Sequence, residues 1–293
     1  MKIAVIGASG VVGRILMPEL TRNHEVTGVS RHEPSETTGA RWHLADASDS
    51  DGLMPAIEGA SVVYHLVHSL GSPGFEERDR ATAAAVASAC ERARVRQIVF
   101  LGGLGEEQPE LSPHLRSRAE TSRILGASGV PVTTIRSAVV VAPGSAAFET
   151  VVSLVDRLPV MICPRWVNTL TQPIAAADIV RYLAGVAGRE EAFGQSYDAA
   201  GPEVMSYRGM IERVALLRGR RPLIIELPLL TPALSALWLH LVTPVRASVA
   251  RPLVEGLRNE TVARDDRLRD LVPIEPTPFD AAARDALAAR AAA

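Results

Sequence analysis

Short apolar runs alternate with longer stretches of helical spacing through the first half of the chain. Ile3–Ile6 is apolar throughout, and Val11–Leu20 follows with apolar side chains three and four apart. The rhythm then repeats. Strands are predicted at Glu25–Ser30, Arg41–Leu44, Ser61–Val67, Gln97–Leu101 and Val132–Ile135, and helices at Asp49–Ile57, Phe75–Arg94 and Pro113–Ala127. Asp49 or Ser48 is placed to cap the second helix, and Gly129 closes the helix from Pro113. Strands that are apolar on both faces need cover on both faces, and parallel strands need crossover connections. The pattern therefore predicts an α/β fold built on a doubly wound parallel sheet with helices on both faces.

After Arg136 the rhythm breaks, with prolines at 143, 159, 164 and 173. Asp178–Val186 reads as a helix and Ser196–Ala199 as a strand returning to the main sheet. The chain divides accordingly into a main domain over 1–142, rejoined by 173–200, and a small C-terminal substrate or partner lobe from 143–172 and 201–260. The tail, 261–293, ends in the alanine-rich Asp280–Ala293, read as a loosely held helix.

The strongest chemical signal is Gly7-Ala8-Ser9-Gly10-Val11-Val12-Gly13, which leaves the first strand and opens the first helix. The first glycine permits a tight turn, the second lets the backbone approach a pyrophosphate, and the third lets helix and strand pack closely. The N–H groups at the helix start then face the phosphates. This context makes the main domain Rossmann-type and dinucleotide-binding. At the end of the second strand stand Ser30 and Arg31 where an NAD site would carry an acid; the next acid is Glu33. A guanidinium there suits a 2′-phosphate, so NADP is favoured over NAD, and Arg14 is placed to assist.

Composition removes several alternatives. Among 293 residues, 47% are hydrophobic and 22% charged, enough for a full core. Aromatics are 4% and the net charge is -2, which argues against a nucleic-acid partner. Cys90 and Cys163 are isolated and read as buried thiols; no metal site is expected. The first apolar run is too short for a signal peptide, and a cytoplasmic location is expected. The apolar stretch 223–245 contains Glu226, His240 and prolines 228, 232 and 244, so no transmembrane segment is expected. It reads as a short strand, a turn and a helix over Pro232–Leu241. Residues 229–245 are a lobe core, a lid or a face for a homo-oligomer or protein partner; peripheral membrane contact is the lesser reading.

Several segments together resemble the short-chain dehydrogenase/reductase superfamily, and within it the atypical, NmrA-like members related to the epimerase-type extended enzymes. GASGVVG resembles the family's GATGxxG loop. Asp46-Ala47 stands where members place an Asp beside the adenine. Val63-Tyr64-His65-Leu66-Val67-His68 resembles the V-F-H-L-A-A segment beneath the cofactor ribose, which implies cofactor contact for Leu66, Val67 and His68. Pro173–Ile179 resembles the P-I-x-x-x-D-V segment.

The catalytic part departs from the family pattern. The serine expected after the fifth strand is missing, since that strand ends Leu101-Gly102-Gly103. His114 and Arg118 stand in place of the Tyr and Lys of Tyr-x-x-x-Lys, still on one helix face. His114 is either a proton donor or a first-turn residue behind Pro113. Arg118 can bind ribose hydroxyls but cannot surrender a proton. His68 either positions a substrate carbonyl or fills space near the cofactor. Arg136-Ser137 is an anion site or a structural ion pair, and Asp178 reads as a helix cap. Two functions follow: an NADP(H)-dependent oxidoreductase acting on a small carbonyl, imine or conjugated substrate, or a non-catalytic redox-sensing regulator or assembly factor.

Overall fold

The computed structural model describes residues 1–33, 39–70, 72, 74–227 and 256–292. The expected apolar helix and partner face over 229–245 lie outside the described residues. Among the described residues, no helix is long and apolar enough to cross a membrane.

The chain alternates as the pattern predicts: β1 (Lys2–Ile6), α1 (Val11–Thr21), β2 (Glu25–Ser30), β3 (Arg41–Leu44), α2 (Ser50–Ile57), β4 (Val62–His65), α3 (Phe75–Arg92), β5 (Gln97–Gly103), α4 (Pro113–Gly126) and β6 (Val132–Ser137). Asp49 caps α2 by accepting from the Asp51 N–H at 3.1 Å. Together with the later strand β11 (Ser196–Ala199), these strands form a seven-stranded sheet in the order β3-β2-β1-β4-β5-β6-β11, with every pairing parallel.

Period-two alternation divides the sheet's side chains between two cores. Ile3, Val5, Tyr64 and Val99 face α1 and the helix α6 (Ala176–Gly185). Ala4, Ile6, Val63, Ile98 and Phe100 face α2, α3 and α4. Two buried polar side chains find partners within the protein. Tyr64 donates to the Leu183 carbonyl at 2.8 Å, and the Gln97 carboxamide bridges Thr133, Val186 and Gly188.

A third core belongs to the lobe. It gathers α5 (Ala146–Arg157), α7 (Tyr207–Leu217) and a parallel pair, β8 (Val160–Pro164) with β13 (Leu223–Leu227). On α5, Phe148, Val151, Val152 and Val155 recur at helical spacing on the buried face.

Two expectations need correction. The tail is docked rather than loose: in the helix Phe279–Ala292, Phe279, Ala282, Ala283 and Ala286 enter the lobe core. The Arg213 guanidinium lies 5.1 Å from the Phe279 ring centroid, and Glu203 accepts the Phe279 N–H. Asp178 does not cap α6; Ala175 occupies that place. Asp178 is fully buried in the helix's first turn and accepts from the Thr277 N–H at 2.6 Å and the Thr277 hydroxyl at 3.2 Å, fastening the tail to the sheet domain.

This docking sets a measurable expectation. Phe279→Ala should lower stability by about 3 kcal/mol, the usual cost of an aromatic-sized core cavity, seen as a lower urea midpoint. An unchanged midpoint would mean that the tail contributes nothing to the fold.

Candidate active site

Gly7 turns the chain at the end of β1 with φ of 90°. Its N–H and that of Ala8 both donate to the Val29 carbonyl at 3.2 Å, fixing the loop against β2. A Cβ on Gly7 would meet the Leu66–Val67 backbone at 3.0 Å, and one on Gly13 would lie 2.5 Å from the Gly7 carbonyl oxygen. Side chains at either place would push β1, β4 and α1 apart. Gly10 precedes α1 in extended conformation, and no side chain caps that helix. The loop thus leaves the positive end of α1 open to an anion.

The loop opens on a cavity of about 1560 Å³ running from the sheet's carboxyl edge to the lobe. Gly7, Ser9, Gly10, Val11, Val12, Gly13, Ser30, Arg31, Asp46, Ala47, Leu66, Val67 and His68 all line it. Ala8 does not. Its methyl is buried in the core, so its part in the loop is structural.

Asp46 accepts from the Ser48 hydroxyl at 2.6 Å and the Ser48 N–H at 2.9 Å, and these bonds, with the charges of Arg31 and Arg78, hold its carboxyl below the usual range. Arg78, on α3, was not singled out from the sequence. It lines the cavity together with Arg31. Arg14 is not among the lining residues, although its Nη2 reaches to 3.9 Å from where a Cβ on Gly144, which does line the cavity, would stand. These groups fit a dinucleotide: an uncapped helix start for a diphosphate, and two guanidinium groups beside a carboxylate at the far end.

His68 and His114 meet in the same cavity. His68 Nε2 lies 3.1 Å from His114 Nδ1, with ring centroids 4.8 Å apart. Behind His68, Nδ1 lies 3.1 Å from Asp79 Oδ2. Asp79 is 2% exposed and also accepts from the Ser117 hydroxyl at 3.0 Å and the Ser69 N–H at 2.8 Å. Burial alone would raise the Asp79 carboxyl. The His68 hydrogen bond, the His68 and Arg118 charges and the Ser69 N–H outweigh it and hold the group well below the usual carboxylate range.

An ionised Asp79 fixes the tautomers. Arg118 Nη1 also stands 3.1 Å from His68 Nδ1, but that nitrogen cannot donate to Asp79 and accept from Arg118 at once. A lone pair facing a buried carboxylate is the costlier arrangement, and Arg118 has the Val67 carbonyl at 3.3 Å as another acceptor. His68 Nδ1 therefore carries the proton, His68 Nε2 accepts from His114 Nδ1–H, and His114 Nε2 is left as a bare acceptor. Among the described residues it has no hydrogen-bond partner, and its ring lines the cavity.

Arg118 lies beneath this pair. It is 5% exposed, donates to Val67 and Leu101 carbonyls, packs over the Phe100 ring and does not line the cavity. Its place is therefore under the site rather than against a ribose. After β5, where a serine would stand, Gly103 lines the cavity, and a Cβ there would stand 2.8 Å from a Leu115 methyl, so a side chain would require the end of that leucine to turn. Arg136 forms ion pairs with Asp198, at 2.6 Å, and with Glu107, the structural alternative of its two readings, while Ser137 lines the cavity. Cys90 and Cys163 are both buried, which raises their thiols to about 12 and about 11 respectively.

Residues 7–153 match the model of the NAD(P)H-binding family. The chain belongs to that family. Among curated relatives, an uncharacterized protein of Mycobacterium tuberculosis is 46% identical over 67 residues, 22% of this chain and 8% of the relative. L-arabinose 1-dehydrogenase (NAD(P)(+)) of Haloferax volcanii is 38% identical over 65 residues, 22% of this chain and 24% of the relative. The chain therefore spans only a small part of these relatives.

Solved structures share the fold over almost the full chain. Triphenylmethane reductase of Citrobacter sp., complexed with NADP(H), superposes with TM-score 0.77 at 16% identity, covering 98% of this chain and 100% of that one. NADPH-dependent quinone oxidoreductase of Escherichia coli, complexed with NADPH, gives 0.77 at 19% identity over 98% and 99%. A nucleoside-diphosphate-sugar epimerase of Staphylococcus aureus gives 0.77 at 17% identity over 97% and 100%. These structures show the fold, and the match over residues 7–153 shows the NAD(P)H-binding family.

The histidines also make a pH prediction. Burial lowers His68 and His114, with Arg118 adding to both and Asp79 opposing; His65, 1% exposed, is lowered to about 3, mainly by burial. A histidine kept neutral in the fold but protonated in the unfolded chain stabilises fully above pH ~6.5, and that contribution falls as pH drops towards the folded pKa. Between pH ~6.5 and ~5, His65 alone should cost about 2 kcal/mol, read as a falling urea midpoint. A His65→Asn variant with the same pH slope as the parent would remove His65 from this account.

Proposed function

We propose that the protein is an NADP(H)-dependent oxidoreductase that moves a hydride to or from a small carbonyl, imine or conjugated substrate held under the lobe. The observation that carries this reading is the Asp79–His68–His114 chain ending in the cavity that the glycine loop opens. A bound nicotinamide supplies the hydride chemistry at C4. The chain's own residues handle the proton.

In the oxidising direction, His114 Nε2 accepts the proton of a substrate hydroxyl while the carbon gives up its hydride. His114 passes its Nδ1 proton to His68 Nε2, and the imidazolium formed on His68 is held by the Asp79 carboxylate. In reduction each proton moves back: His68 returns its proton to His114, and His114 Nε2–H protonates the new alkoxide. Protons and charge balance in both directions. The low pKa of both imidazoles keeps the resting pair neutral, the form the oxidising direction uses; for reduction the pair first takes up one proton from solvent.

Arg31 and Arg78 support NADP over NAD, because two guanidinium groups match the charge of a 2′-phosphate. The names of the Citrobacter and Escherichia coli relatives, one complexed with NADP(H) and one with NADPH, agree with that choice. A buried, ionised carboxylate behind paired imidazoles favours turnover over a purely sensing role.

Two measurements test this. With NADPH and a panel of carbonyl, imine and quinone substrates, His114→Ala and His68→Ala should each lower kcat by about 10²–10⁴ while leaving NADPH affinity within a few-fold of the parent. Binding without consumption of NADPH by the parent protein would instead favour the regulator. Separately, Arg31→Ala should reduce the preference for NADPH over NADH by roughly 10–100-fold in Kd, the loss of a charged hydrogen bond. A preference retained in full would remove Arg31 from the phosphate site.

A further inference from the structure

The cavity is larger than the roughly 300–1,000 Å³ of an ordinary single-ligand site, so a second ligand has room beside a dinucleotide. Its charges are unevenly placed. Among the described residues, the only Lys, Arg, Asp or Glu side chains lining it are Arg31, Asp46 and Arg78, which gather at the β2 end. The half under the lobe is walled by apolar side chains, Val151, Leu154, Ile162, Trp166, Met210 and Ile211 among them.

Two hydroxyls in that half are committed to the protein, while the Trp166 Nε1–H, a single neutral donor, has no partner among the described residues. The Thr150 hydroxyl donates to the Ala146 carbonyl at 2.7 Å, and the Tyr207 hydroxyl bonds with Thr171 and Thr261. Lobe cations nearby are paired away from the cavity: Arg208 with Glu212 and Glu226, and Arg213 with Glu203 and Asp280. An anion placed against this wall would lose its hydration without gaining a cationic partner among the described residues, at a cost of several kcal/mol. A neutral apolar body would gain about 25 cal/mol for each Å² it buries.

We infer that the lobe half takes neutral, largely apolar carbonyl compounds and rejects phosphorylated, nucleotide-linked or carboxylated ones. This rests on the hydride-transfer reading only for the carbonyl. The exclusion of anions rests on the wall itself. The oxygen of such a compound meets His114 at the sheet's edge: as a hydroxyl it donates to the bare Nε2, and as a carbonyl it accepts from that nitrogen once the imidazole pair has taken up a proton.

Calorimetry on NADP-saturated protein separates the two claims. A neutral naphthaldehyde should bind at least ~10-fold more tightly than its ring-carboxylated analogue, a difference of about 1.4 kcal/mol. In a Thr150→Lys variant, whose new ammonium enters this wall from a half-buried position, the ratio should narrow or invert. Equal or tighter binding of the carboxylated compound to the parent, no binding of either, or a ratio unmoved by Thr150→Lys would overturn the assignment. NADPH consumption is followed in parallel. Tight binding of the neutral aldehyde without consumption would count against the oxidoreductase reading and leave the apolar wall standing.

Discussion

The structure turns on how closely β1, β4 and α1 approach one another. The Gly13 Cα and the Gly7 carbonyl are near enough that one added methyl would intrude to 2.5 Å, and the Gly7 turn passes the β4 backbone with no room for a side chain. The closeness aligns an uncapped helix start with the carboxyl edge of a parallel sheet. Strand ends, loop and helix dipole then converge on one cavity, as open α/β sheets do at the point where strand order reverses. Here that point lies between β1 and β4, and His68 follows β4 directly.

The second constraint is electrostatic. Asp79 is an ionised carboxylate almost without solvent, and such a group persists only where donors surround it. The Ser69 N–H, the Ser117 hydroxyl and His68 meet that demand, with Arg118 3.7 Å away. In meeting it they fix the His68 ring and its tautomer, and through His68 that of His114. The orientation of the cavity-facing imidazole is therefore decided two residues away, in the core between α3 and α4.

The sheet was legible because its strands are apolar on both faces and its helices keep the 3.6-residue period, so burial and pattern coincide. The glycine loop was legible because its spacing is a steric requirement. The lobe was not. Its strands are two to five residues long, and prolines 143, 159 and 164 interrupt the pattern on both sides of the helical spacing of Phe148, Val151, Val152 and Val155 on α5. The same period held the clue to Asp79. It falls on the α3 face shared by Thr82, Ala83 and Val86, all buried, and an acid on an inward face needs a partner. Arg118 sits likewise in line with Leu115, Thr121 and Leu125, which already marked it as a buried cation rather than one reaching a ribose. Arg78 carried no such signal: an arginine on the exposed turn of a helix becomes notable only once Arg31 and Asp46 are seen across the cavity.

Taken one at a time, the departures from the family's catalytic set look like losses; taken together they are mutually consistent. The serine after β5 is replaced by a glycine whose missing side chain leaves space for a Leu115 methyl, so restoring the hydroxyl would require that leucine to turn. Arginine in the lysine position is held under the site by two backbone carbonyls, where its fixed charge discourages protonation of both imidazoles. Histidine in the tyrosine position then meets a second histidine and a carboxylate that the family set does not require. A chain that had merely lost its catalytic groups would have no reason to keep a buried anion at its own desolvation cost. The anion is explained if the site still moves a proton, with a carboxylate-backed imidazole pair in place of a phenol beside an ammonium.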